Sequence, residues 1–174
     1  MSSIDIIVLG CVAKKSRSAY DIQKDVEEHN LPEWTRISIP SIYKKVLRLQ
    51  EQGYIEGDEI AGERFATKII YHITKKGREY LESLMTEQSL KPPKVLLDFN
   101  AVICNLNKVD KPAALVLINN IISGIEESKR YYHSVLTEHA DIPLVGRAIM
   151  EQQEKVCVTL LEWAHNLYES YKEE

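Results

Sequence analysis

The chain has 174 residues, 44% of them hydrophobic and 28% charged, which is enough apolar content to bury one core or two small ones and excludes a disordered protein. Its 22 Lys and Arg against 26 Asp and Glu leave a net charge of -4. That excludes a uniformly basic nucleic-acid coat, so any contact with DNA requires a local cationic face.

The first apolar run, Ile4 to Val12, is interrupted by Asp5 and followed, rather than preceded, by Lys14, Lys15 and Arg17. It therefore reads as a helix capped by Ser2 or Ser3, with Ile4, Ile7, Val8, Cys11 and Val12 at helical spacing, and not as a signal peptide. No later stretch approaches the ~18 uninterrupted apolar residues of a membrane span. Cys11, Cys104 and Cys157 are odd in number, far apart and without a C-x-x-C pair, which argues against a disulfide framework or a zinc ribbon. A soluble cytoplasmic protein with no metal and no cofactor is expected.

A second helix is predicted from Ser18, with Asp21 three residues on as a short-armed capping box and Tyr20, Ile22 and Val26 turned inward. Asn30 and Pro32 end it. The third begins at Ser38, with Pro40 in its first turn, and stops at Gly53. The hydrophobic period then changes from 3.6 to 2: Tyr54 to Ile60 and Thr67 to Ile73 read as two strands joined by a loop from Ala61 to Ala66. Thr74 caps a fourth helix carrying Tyr80, Leu81 and Leu84. The order helix, helix, helix, hairpin, helix is that of a winged helix-turn-helix over residues 1–88.

Pro92 and Pro93 mark a linker over 89–94. Beyond it, residues 95–174 show only helical patterns: one helix over 95–106, a second from Lys111 to about Glu138 and a third from Pro143 to about Tyr171. The fold class is therefore α+β and mainly helical, with an all-α carboxy-terminal domain. The second of these helices carries overlapping stripes, with Leu115, Ile118, Ile122 and Ile125 in one. The third carries Leu160, Trp163 and Leu167 beside a parallel set. Both faces are too broad for one neighbour, and a second copy of the chain would cover the apolar area left in water at ~25 cal/mol per Å². The alternative is that these helices complete a monomer core.

At 100° per residue, Ile39, Ile42, Tyr43, Val46 and Gln50 cluster on one side of the third helix, while Ser41, Lys44, Lys45, Arg48 and Gln52 cluster opposite. Residues 64–78 contain Arg64, Lys68, Lys75, Lys76 and Arg78 and no acid from Arg64 onward. Positive charge is thus concentrated in two segments of an acidic chain. Such an arrangement suits DNA, because Lys and Arg neutralise phosphates and a helix about 10–12 Å across fits the major groove.

The run from Ile37 to Ile55, with its Ser41-x-Tyr43 opening, Leu-containing centre and Glu51-x-Gly53-Tyr54-Ile55 exit, resembles the third helix of PadR-type transcriptional regulators. Tyr71 to Leu81 is similar to that family's second wing strand and following helix. The match covers about residues 4–86. Two departures stand out: Ala19 precedes Tyr20 where the family often has Gly, and Lys44 follows Tyr43 where it often has Pro. The resemblance implies a homodimeric DNA-binding regulator, a repressor more often than an activator, on a near-palindromic double-stranded operator.

From the residues, Ser41, Lys44, Lys45 and Arg48 are the candidates for the major groove or its phosphate walls, and Arg64 and Lys68 for the wing contact. Arg48 suits guanine, since a guanidinium donates to O6 and N7 together; Lys44 and Lys45 suit phosphates. Tyr43 reads as core and His72 as an ordinary strand residue. Several relatives sense aromatic molecules, and Tyr131, Tyr132, Trp163, Tyr168 and Tyr171 are candidates for lining such a pocket, although aromatics at helical spacing usually pack.

Catalysis has no support in the inventory. None of the five histidines lies in H-x-x-x-H, and G-x-S-x-G, Walker and G-x-G-x-x-G motifs are missing. The remaining rivals are a winged-helix scaffold that binds only protein and a thiol-based redox-sensing regulator.

Overall fold

The computed structural model describes residues 3–61, 67–139 and 141–173. The chain forms two compact units, Met1–Pro93 and Lys94–Glu174.

In the first unit, α1 (Ser3–Lys14) buries Ile4, Val8, Leu9 and Val12 on one face. Next comes α2 (Ala19–Glu28), opened by the capping box that the sequence predicts: the Asp21 backbone N–H donates to Ser18 Oγ at 3.2 Å, and Ser18 N–H returns a bond to the Asp21 carboxylate at 3.1 Å. Ile22 and Val26 point inward. Tyr20 does not, at 71% exposed, because a two-residue step from Ile22 turns it about 200° around the axis.

The third helix, α3 (Ser41–Glu51), starts three residues later than its sequence pattern predicts, with Pro40 at the N-cap position. It ends in a Schellman arrangement, with Tyr54 N–H on Leu49 O and Gly53 N–H on Gln50 O, both 2.9 Å. Gly53 sits at φ +70, the left-handed conformation this stop requires. Two antiparallel strands follow, β1 (Ile55–Ala61) and β2 (Thr67–Ile73), in a register that pairs Ile55 with Ile73 and Glu56 with His72. Arg17 adds a one-residue bridge to the outer side of β2, exchanging both backbone bonds with Tyr71. The wing tip, with Arg64, lies outside the described residues.

Thr74 caps α4 (Lys75–Ser89) as predicted, accepting from Gly77 N–H at 2.9 Å and donating to the Gly53 carbonyl at 2.9 Å. Tyr54 and Tyr80 stack at 4.1 Å between ring centroids. These contacts join the end of α3 to the start of α4. The core they enclose is built from Val8, Leu9, Ile22, Val26, Ile42, Val46, Leu49 and Ile55, all with no more than 1% exposure.

The second unit departs from expectation at its start. Instead of a helix over 95–106 there is one turn, α5 (Asn100–Ile103), and a 3-10 turn at Leu106–Lys108. No side chain caps α5, and Asn105 donates its amide to Ala101 O at 2.8 Å. Short helices without caps do not repay their nucleation cost, and Asn competes for backbone groups. The long helices form as predicted: α6 (Lys111–Glu138), capped by Asp110, and α7 (Leu144–Glu173). They pack side by side as an antiparallel hairpin around Ala114, Ile118, Ile122, Ile125, Tyr132, Cys157 and Ala164.

Candidate nucleic-acid interface

The orientation of α3 decides which side chains are presented. Ile42, Val46 and Leu49 are buried to within 1% and hold the helix against α1 and α2. The outward face is Tyr43, Lys44, Leu47, Arg48 and Glu51. Lys44 and Arg48, four residues apart, form one cationic row; Tyr43, 60% exposed, and Leu47, 37% exposed, form an apolar row beside it.

This face is turned from the one read in the sequence. Counting Tyr43 as core drags the centre of the packing side by roughly 50° at 3.6 residues per turn. The observed packing face centres on Ile42, Val46 and Leu49, and Tyr43 lies outside it, since a tyrosine carries a polar tip and packs equally well at a wet boundary. Tyr43, read as core, is therefore an outward residue, and Leu47 stands beside it.

Of the six candidates for DNA contact, Lys44 and Arg48 are together and exposed. Lys45 is not. Its Nζ lies 2.7 Å from Asp5 Oδ1, with only 17% and 10% of the two side chains exposed, so it ties α3 to α1. The reason is geometric: Lys45 follows Lys44 by 100°, which turns it from the open side toward the neighbouring helix. Ser41 is half-buried and donates its hydroxyl to Ser38 O. Lys68 stays partly exposed but pairs with Asp21 of α2 at 3.1 Å. His72 stands on the wing between Glu56 and Asp58, at 3.3 and 3.4 Å.

A second ionic cluster ties α1 and Arg17 to α2. Arg17 Nη1 meets Asp25 Oδ1 at 2.9 Å, and the Cys11 thiol donates to Asp25 Oδ2 at 3.6 Å. Burial pushes the Asp25 pKa up, but the Arg17 hydrogen bond and charge outweigh it and hold the carboxyl below its usual range. Burial likewise opposes, without overcoming, the Ser18 and Lys68 bonds that lower Asp21. Burial first, and then the Asp25 charge, push the Cys11 thiol up to about 11. Burial also raises Cys157. Two of the three thiols are therefore held protonated, the opposite of an activated cysteine.

In the second unit, Ile118, Ile122 and Ile125 are buried within the single chain's own hairpin, a correction to their reading as dimer contacts: the stripe faces α7. Leu115, Leu160 and Leu167 are half-buried, and Trp163, 38% exposed, stacks on Phe99 with centroids 5.8 Å apart. The aromatic candidates do not converge in one chain. Tyr131 and Tyr132 meet edge to face near the turn of the hairpin. The His133–Glu154 pair, at 2.8 Å, fixes the antiparallel register, which leaves Trp163 and Tyr168 roughly 10 and 18 Å farther along α7 at 1.5 Å per residue.

Residues 8–83 match the profile of the transcriptional regulator PadR-like family. By this segment the chain is similar to the PadR-like transcriptional regulators. Members of that family regulate transcription and are not enzymes. The fold is shared along nearly the whole length with solved PadR-like structures. Bacillus subtilis PadR in complex with operator DNA superposes with a TM-score of 0.83 at 16% identity, over 97% of this chain and 99% of that one. The same protein in complex with p-coumaric acid gives 0.81 at 16%, over 97% and 98%. The Vibrio cholerae virulence activator AphA gives 0.74 at 16%, over 98% of each chain. No curated protein sequence matches. Among the described residues, no helix is long and apolar enough to cross a membrane.

Proposed function

We propose that this PadR-like protein is a homodimeric repressor that binds a near-palindromic DNA operator through α3 and the β1–β2 wing. The observation that carries the reading is the outward row of Lys44 and Arg48, displayed on a helix whose opposite face is fixed by Ile42, Val46 and Leu49. Arg48 takes a guanine edge, Lys44 and the wing residues Arg64 and Lys68 take phosphates, and Ser41 lies at the helix start where a phosphate would pass. Lys45 acts instead as a strut. Capture of operator DNA by the structurally similar Bacillus subtilis PadR supports the reading.

Pairing is assigned to the second unit. A shallow groove is lined by Val95, Ala148, Val156 and Leu160 together with Glu151, Gln152, Lys155 and Thr159, its exposed surface mostly apolar, and Val116, Val158 and Trp163 add exposed apolar area on the hairpin. Leu115, Leu160, Trp163 and Leu167 are the contacts retained in this proposal; the three isoleucines keep the hairpin rigid behind them. A small aromatic effector completes the reading, supported by the complex of Bacillus subtilis PadR with p-coumaric acid. Tyr131, Tyr132, Trp163 and Tyr168 would be assembled into one pocket only by two chains.

The test is binding to promoter DNA from the protein's own locus at increasing salt, with light scattering of the free protein. A steep loss of affinity with salt, together with a dimer mass at micromolar concentration, is expected. Salt-indifferent binding or a strict monomer would refute the proposal. Arg48→Ala is expected to relax preference at one base pair, costing about 1–3 kcal/mol.

A further inference from the structure

We propose that Leu47 is a specificity-determining residue that reads the C5-methyl group of a thymine in the major groove. The inference rests on the DNA reading above and adds a base identity to it. Leu47 is 37% exposed, with Tyr43, 60% exposed, one turn before it, although the unit has an apolar core a few ångströms away on the other side of α3. The flanking outward residues Lys44, Arg48 and Glu51 are charged. An aliphatic side chain left more than a third exposed beside a charged, solvent-facing row gains nothing from the water it meets there.

What covers it is defined by the charge around it. Lys44 and Arg48 bring this face to phosphates and base edges, and the floor of the major groove offers one apolar feature, the thymine methyl, that distinguishes T·A from the other pairs. Leu47 directly precedes Arg48, a rise of about 1.5 Å along α3 against about 3.4 Å between base pairs. The thymine is therefore placed within one or two base pairs of the guanine assigned to Arg48. Tyr43 closes the outer side of this contact and excludes water from it.

The experiment begins with selection of duplexes from a random-sequence pool by the full-length protein. The selected consensus is then synthesised with deoxyuridine in place of each thymine in turn, which deletes one methyl and no hydrogen-bonding group. One thymine near the conserved guanine is expected to lose about fourfold in affinity on this change, the value of one buried methyl. With Leu47→Ala the same change is expected to have no effect. Leu47 is outside the core, so the variant keeps its fold, checked by an unchanged melting temperature. If every uracil substitution is neutral, or if the sensitivity persists in Leu47→Ala, the inference fails while the DNA reading stands. If no consensus emerges from the pool, the DNA reading fails and this inference with it.

Discussion

Lys45 of α3 places its Nζ 2.7 Å from Asp5 Oδ1 of α1, in a pair that is mostly screened from solvent. Asp5 is 7% exposed, and removing one member of a buried pair leaves the other uncompensated. Lys44, its neighbour in sequence, has the same chemistry and faces outward.

These placements separate two effects. Lys44→Ala should leave stability nearly unchanged and reduce the slope of log affinity against log salt by about one unit, the loss of one phosphate contact. Lys45→Ala should leave that slope alone and destabilise the first unit by about 2 kcal/mol. Denaturant melts and salt-titrated binding of both variants provide the check. A flattened slope in a stably folded Lys45→Ala would place that lysine on DNA.

Acid sensitivity should concentrate at Asp25. Its folded pKa lies below the unfolded value, so its stabilisation is complete above the ordinary carboxylate range and is lost as pH falls through the depressed folded value. Asp21 acts in the same direction. Asp25→Asn is expected to melt at a lower temperature than the parent at pH 7 and to converge with it near pH 2–3. Parallel melting curves across that window would remove Asp25 from the account.

Thiol chemistry should follow exposure and charge. With its pKa up at about 11, Cys11 is almost entirely protonated at pH 8, and Cys157 is buried and shifted the same way. Cys104 is exposed. Brief iodoacetamide treatment of the native protein at pH 8, followed by mass spectrometry, should find Cys104 modified first and Cys11 last. Rapid labelling of Cys11 would revive redox sensing at that site.

The joint between α3, the wing and α4 should tolerate no side chain at Gly77. A Cβ there would stand 2.0 Å from the Tyr54 carbonyl oxygen, a backbone atom that cannot swing away. Gly77→Ala is therefore expected to cost about 2–3 kcal/mol, lowering the melting temperature by roughly 10 °C or more. A melting temperature within two or so degrees of the parent would show that this joint yields.

Most of the elements, their order and the caps at Ser18 and Thr74 were legible in local patterns along the chain, whereas the helix read over 95–106 is only a turn. Ser18 with Asp21, Thr74, Gly53 and the change of hydrophobic period after it act through neighbours a few residues away, so their signals are local and legible. The same holds for α6 and α7, whose apolar repeats are long. Which charges stay open to solvent and which apolar stripes are covered emerges from packing between elements distant in the chain. Lys44 and Lys45 are indistinguishable until Asp5, forty residues earlier in the chain, is brought beside one of them. Ile118, Ile122 and Ile125 read as an open face until α7 folds back over them. A small rotation of a helix exchanges a core residue for a contact residue, and the depth of packing that sets this rotation depends on partners remote in sequence.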